Sequence, residues 1–255
     1  MSLRQVEENE IEAAHEGNAV QMLRSPLPLY TIILIAMIGA VFVTQFLTSS
    51  DPYFFSVDRY SAITAGFDKP AFIAGEYWRI LTGAAIHSGI LHVLMNCYAF
   101  YSFGKLFEML TNRAHLAIVF LLSAIGGGIL SLVFKPDVTS VGASGGIVGL
   151  ISYLAVYAFR RRQFISAEFR RSLLINIGFI LIFGLVLFRL IDNFGHIGGL
   201  ITGAIYGLIQ IPSDEHVDPR SAGAVTNIAG VVSVVIYGLS CLLAILLLIN
   251  GDKLA

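Results

Sequence analysis

The chain has 255 residues, 56% of them hydrophobic and 13% charged, with a mean hydropathy of +0.78. A soluble domain of this size has nowhere to hide that much apolar surface, so the bilayer is its natural solvent. A net charge of −1 gives no basic surface for a nucleic acid, and Cys97 and Cys241, each inside an apolar run, read as small buried hydrophobes rather than a disulfide or a metal pair.

In chain order, residues 1–27 form an acidic leader, with Glu7, Glu8, Glu10, Glu12 and Glu16 against Arg4 and Arg24. It lacks the pattern of a cleavable signal, and its acidity argues against a mitochondrial transit peptide. Seven stretches then have roughly spanning length: about 28–47, 84–104, 116–134, 141–159, 172–191, 194–211 and 227–249. The loop between the first two carries Tyr53, Phe54, Phe55, Tyr60, Tyr77 and Trp78, which suits the membrane interface. Asp192 and Asn193 alone divide the fifth and sixth spans, which predicts a tight turn with one of them as the helix cap. Arg160, Arg161, Arg162, Arg170 and Arg171 cluster after the fourth span, and Lys105 and Arg113 flank the joint after the second. Placing both joints on the cytoplasmic side puts the amino terminus there too, beside Arg24, and the carboxyl terminus on the opposite side. The expected organisation is a cytoplasmic leader (1–27), a six-span domain (28–211), and a linker with one extra carboxyl-terminal span (212–255).

The fourth span opens on "GASGG", and Ser144 there reads two ways. Small residues let membrane helices pack closely, and a serine at the mouth of a span is also a candidate nucleophile. His196, two residues into the sixth span, is expensive in lipid and therefore a functional candidate, although a histidine bonded to a neighbouring helix is the plainer reading. Counted from their cytoplasmic ends, Ser144 lies about 24 Å up and His196 about 26 Å up a helix. Gly199, Gly203 and Gly207 share the face of His196. Gly142, Gly145, Gly146 and Gly149 line the fourth span. Packing the two glycine faces together brings the hydroxyl against the imidazole, the arrangement of a nucleophile and its base.

"HSGILHVLMN" adds His87, His92 and Asn96, the last two sharing a helical face. Their N–H groups, with the Ser144 amide, can form an oxyanion hole. Zinc is the alternative, but no Glu stands between His87 and His92 as a metalloprotease helix needs. No cofactor and no metal are expected.

The ordered set "EYWRILTGAAIHSGILHVLMN", "GKLFE", "GASGGIVGL" and "DNFGHIGGLITG", from about Glu76 to Gly207, resembles the rhomboid family of intramembrane serine proteases. The resemblance implies an all-α polytopic fold, a six-helix bundle with one additional carboxyl-terminal helix. It implies a dyad of Ser144 as nucleophile and His196 as general base and acid, with His92 and Asn96 holding the oxyanion. Trp78 and Arg79 match a structural motif of the first loop, and Glu108 a buried-network acid after the second span. Gly199 and Gly203 match close-packing glycines, while Gly142 and Gly145 flank the serine and His87 supports the site. Asp192 matches a common acidic position that is not a third catalytic member. Where the family often carries an aromatic residue four positions after the serine, this chain has Val148, which removes one stacking partner for the histidine. The substrates implied are transmembrane proteins, with single-span ones expected, cut near the outer ends of their helices; in a bacterium the membrane is the inner one. "KPDVTSVGASG" then reads as a re-entrant segment admitting water, with His87, Ser88 and Ser140 beside it. A proteolytically inactive relative that binds membrane clients is the alternative, and a small transporter a further one, though neither repeats nor paired broken helices are evident.

Overall fold

The computed structural model describes residues 27–49, 59–187, 191–212, 214 and 216–251. Residues 1–26 of the acidic leader, the loop aromatics Tyr53, Phe54 and Phe55, and Arg189 lie outside them. The described residues form α1 (Leu29–Thr48), α2 (Arg59–Ala65), α3 (Lys69–Ile73), α4 (Arg79–Thr82) and α5 (Ile90–Leu110), followed by α6 (Arg113–Phe134), α7 (Ser144–Arg160), α8 (Ala167–Val186), α9 (Asn193–Gln210) and α10 (Ala224–Asn250). The seven long helices correspond to the seven apolar stretches of the sequence. By length and composition, α1, α6, α8 and α10 are apolar enough to cross a membrane. The helices α5 and α9 are diluted by His92, Asn96, Lys105 and Glu108 in one and by Asn193, His196 and Gln210 in the other.

Local chemistry sets several helix starts. The side chains of Asp68, Asn112, Ser166 and Asp192 each accept a hydrogen bond from a first-turn amide, at Ala71, Ala114, Phe169 and Gly195 respectively. Asp192, not Asn193, is therefore the cap of α9. The second span needs correction at its start, because residues 84–89 lie outside the helix, which begins at Ile90. Three of their backbone groups are claimed by side chains from distant helices, while the amides of Ala84, Ala85 and Ile86 bond locally to Leu81 O and Thr82 O. The Gln45 amide pairs with both His87 N and His87 O at 3.0 Å, and Tyr237 donates to Ala84 O at 3.2 Å.

Backbone contact between α9 and its two neighbours holds the bundle together. A Cβ on Gly199 would lie 2.1 Å from Gly145 O, and one on Gly203 would lie 2.1 Å from Gly149 O, so α7 and α9 touch main chain to main chain. The other flank of α9 meets α6 in the same way, with Gly198 against Gly126 O and Gly127 against Gly195 O. In lipid there is no hydrophobic drive between helices, and such close van der Waals contact is what joins them. Aromatic pairs fill the rest of the core: Phe107 stacks on Tyr153, and Phe100 stacks on Phe120, which meets Tyr237 edge-on. That last pair seats α10 against α6, and Gly230 on Ala114 closes the same contact. The seventh span is thus built into the bundle.

The first loop folds as α2, α3 and α4 around Arg79. Its guanidinium donates to Ile63 O at 2.9 Å, to Gly66 O at 3.1 Å and to Glu76 Oε2 at 2.7 Å, and lies 4.6 Å from the Trp78 ring. Arg79 and Trp78 thereby fix a loop that in turn fixes the site.

Candidate active site

After α6 the chain returns in extended form toward the start of α7. It is clamped by the first loop through an antiparallel bridge, with Phe67 N donating to Ser140 O at 2.9 Å and Ser140 N to Phe67 O at 3.1 Å. Two residues on, Gly142 N donates to Gly83 O at 2.9 Å. Gly142 has a φ of +118°, and a Cβ there would lie 2.7 Å from His92 Cε1, so both the backbone and the neighbouring ring demand glycine. This clamp delivers Ser144 as the first residue of α7, at the positive end of the helix.

His196 approaches from α9, whose depth relative to α7 is fixed by the paired glycines. Its Nε2 lies 2.9 Å from Ser144 Oγ, across 52 positions of sequence. His196 is buried, at 8% exposure, which keeps bulk water from competing for that hydrogen bond. A cavity of about 50 Å³ adjoins the pair, lined among others by Ser131, Ser140, Ser144, Asp192 and His196. Those side chains supply polar groups in an otherwise apolar lining, and the space is large enough for water.

His92 and Asn96 reach the same place from α5. The Ser88 amide donates to His92 Nδ1 at 3.4 Å, and Ser88 Oγ sits 2.9 Å from the same nitrogen. A ring that accepts at Nδ1 carries its proton on Nε2. The Cε1–Nε2 edge faces Gly142, with Nε2 2.9 Å from where its Cβ would be, and Asn96 Nδ2 lies 3.8 Å from that point. One Asn96 amide proton goes to His92 O at 3.1 Å, leaving the other for the cleft. Two side-chain donors thus stand beside the backbone leading into Ser144.

His87 is fully buried outside the cleft, its ring edge-on to His92 at 5.0 Å and its Nδ1 3.1 Å from Ala85 O. It supports His92 from behind. Glu108 is remote from Ser144: it ends α5 by accepting from Thr31 N and Thr31 Oγ1, both at 2.7 Å, and ties α5 to α1. Val148 is buried in the α7 core, and among the described residues no aromatic ring stacks on His196. Asp192 does not reach the imidazole. Its Oδ2 accepts from Ser140 Oγ at 2.6 Å and from Ser131 Oγ, and its Oδ1 accepts from Gly195 N at 3.1 Å. Among the described residues no three His, Cys, Asp or Glu side chains gather as a metal site.

Sequence reasoning missed three contributors. Lys69 is wholly buried, with its Nζ on Ser140 Oγ at 2.7 Å and on Val138 O. Its only signal was a lysine in a loop otherwise suited to the interface. Ser131 looked like an ordinary small residue of α6. The triplet Gly126-Gly127-Gly128 was the readable clue, since three adjacent glycines inside an apolar span mark close approach from more than one side.

The Rhomboid domain profile matches residues 74–213. The chain is 30% identical over 239 residues to "Rhomboid protease GluP" of Bacillus subtilis (strain 168), covering 93% of this chain and 44% of that protein. It is 35% identical over 138 residues to "RHOMBOID-like protein 6, mitochondrial" of Arabidopsis thaliana, covering 53% of this chain and 44% of the relative. It is also 32% identical over 143 residues to "Inactive rhomboid protein 1" of Papio anubis, covering 55% and 16%. The chain thus spans less than half the length of these curated relatives. The profile covers more than half of the chain, from the loop pinned by Arg79 through the whole of α9, and on that match this integral membrane protein belongs to the rhomboid family.

Proposed function

We propose that this protein is an intramembrane serine endopeptidase working through a Ser144–His196 dyad. The observation that carries the reading is the 2.9 Å approach of His196 Nε2 to Ser144 Oγ, held by backbone-level helix contacts. As Ser144 Oγ attacks a peptide carbonyl carbon, His196 Nε2 takes the hydroxyl proton. The negative charge moves to the carbonyl oxygen, where the Ser144 amide, His92 Nε2–H and Asn96 Nδ2–H donate to it. Collapse breaks the C–N bond, and His196 returns its proton to the leaving amine. Water from the adjoining cavity then attacks the acyl ester as His196 takes its proton, and the ester C–O bond breaks as His196 passes that proton to Ser144 Oγ, releasing the acid and restoring the hydroxyl.

Substrates are transmembrane proteins, single-span ones foremost. A helical amide is shielded and hydrogen-bonded, so the substrate helix unwinds near its outer end before cleavage, and small or helix-breaking residues there favour the reaction. Arginine placement puts the amino terminus on the cytoplasmic side of the membrane, the inner one in a bacterium, with the site near the opposite surface. Residues 28–211 form the catalytic unit, 1–27 a leader, and 212–255 the linker and bracing helix.

The test is cleavage of single-span substrates by purified protein in proteoliposomes. Wild type cleaves, while Ser144→Ala does not and keeps its insertion and thermal transition. Cleavage retained by Ser144→Ala rules out the nucleophile. A wild type that binds such clients without cleaving them would instead place the chain with the inactive relatives.

A further inference from the structure

A buried cation in the first loop and a carboxylate at the head of α9 are joined through one hydroxyl. Lys69, the first residue of α3, has no exposed surface. Its Nζ donates to Ser140 Oγ at 2.7 Å, and Ser140 Oγ donates onward to Asp192 Oδ2 at 2.6 Å. Asp192 caps α9 through Gly195 N, and its own carbonyl accepts from His196 N at 3.1 Å. Thr139, next to Ser140, donates to Asp68 at 2.9 Å, so the same short segment is held to the loop a second time. The segment continues as Val141, Gly142, Ala143 and Ser144. Ser140 therefore sets its side chain on the head of the His196 helix while its backbone leads into Ser144.

We propose that Lys69, Ser140 and Asp192 are positioning residues for the dyad, a charged relay that sets the angle of the first turn of α9 against the segment delivering Ser144. This rests on the Ser144–His196 reading and deepens it. Three features of the arrangement support a positioning role over simple packing. A buried ammonium is costly in an apolar setting and is retained here on Ser140 Oγ and Val138 O, with the Phe67 ring 5.5 Å away. All three hydrogen bonds to the Asp192 carboxylate come from groups that fix orientation: two serine hydroxyls and a helix amide. And the relay ties the segment leading into Ser144 to the first turn of α9 through side chains, beside the backbone contacts that Gly145 makes with Gly195 and Gly199. A near-attack geometry lost by about 1 Å lowers rate by roughly a hundredfold without any group touching substrate.

The experiment uses the full chain in detergent as wild type, Lys69→Met, Asp192→Asn, their double variant, and Ser140→Ala, which removes a hydroxyl and leaves both charges in place. A fluorophosphonate probe gives kinact and KI at Ser144, and hydrogen–deuterium exchange of the intact protein reports on residues 193–199. Each single variant should lower kinact about ten- to a hundredfold, with KI within about threefold of wild type. The double variant should match the worse single one, because both cut the same relay. Exchange over 193–199 should rise in Lys69→Met, although that residue lies on another element. The proposal is overturned if kinact stays within about twofold in all variants, or if the losses multiply in the double variant with no change in exchange over 193–199. If wild type takes no label, the dyad reading fails by itself, and the exchange arm alone decides the relay: a rise at 193–199 supports it and an unchanged pattern overturns it.

Discussion

Two neighbouring helices, α8 and α9, are similar in length and differ in almost everything else. Along α8 only Leu173 and Gly184 are buried, and Phe179, Ile182, Leu185 and Val186 face outward, at 63%, 64%, 67% and 71% exposure. Along α9 the buried residues are His196, Gly198, Gly199, Gly203 and Gly207. The apolar helix therefore faces lipid, and the less apolar one forms the centre. In a bilayer, leucine and isoleucine gain nothing by turning inward, while a glycine face gains contact and a histidine must find a partner. Between these two helices, burial follows small size and polarity rather than hydrophobicity.

Glycine substitutions break that comparison most directly. Gly203→Val on α9 has no room, because its Cβ alone would lie 2.1 Å from Gly149 O, whereas Gly178→Val on α8 meets nothing within 4 Å. Gly203→Val should abolish activity and cost at least about 1–3 kcal/mol through helix separation. Gly199→Val should behave likewise, and Gly178→Val should match wild type in thermal transition and cleavage. An active, stable Gly199→Val protein would contradict the close-packing account.

The donors on α5 sharpen the comparison at the level of single groups. His92→Ala or Asn96→Ala should lower kcat about 10²- to 10³-fold in a cleavage assay while the thermal transition of the protein is kept. Equal falls in binding and no change in kcat would remove them from the oxyanion role.

A smaller effect concerns Lys69, outside the spans. Burial lowers its ammonium from 10.5 to about 8, the nearby Lys135 pulling the same way while Asp192 and Asp68 oppose it. Above about pH 8 the unfolded chain binds the proton more readily than the folded one, so folded stability rises as pH goes from about 8 toward 10.5. Subtracting the pH–stability curve of Lys69→Met from that of wild type should isolate this rise, and identical curves would place Lys69 in a wetter site.

The lengths of the apolar runs made the seven long helices readable, and matched depth with facing glycines made the closeness of Ser144 and His196 readable. Both are one-dimensional properties that a sequence carries. The start of α5 was not readable, because Gln45 claims the backbone of His87 and Tyr237 that of Ala84 from helices far away in sequence. Lys69 was hidden for the same reason. Its partners, Val138 and Ser140, are about seventy positions distant and become neighbours where the Phe67–Ser140 bridge and the Thr139–Asp68 bond join the two segments. The triplet at 126–128 carried a signal, and its meaning depends on α9 having two packed flanks rather than one.

The most direct measurement is covalent capture of the serine. A fluorophosphonate probe applied to the purified protein should label one residue, Ser144 by peptide mapping, and His196→Ala should lose that label while keeping its fold. Labelling that persists undiminished in His196→Ala, or that maps to another residue, would contradict a hydroxyl activated by this imidazole.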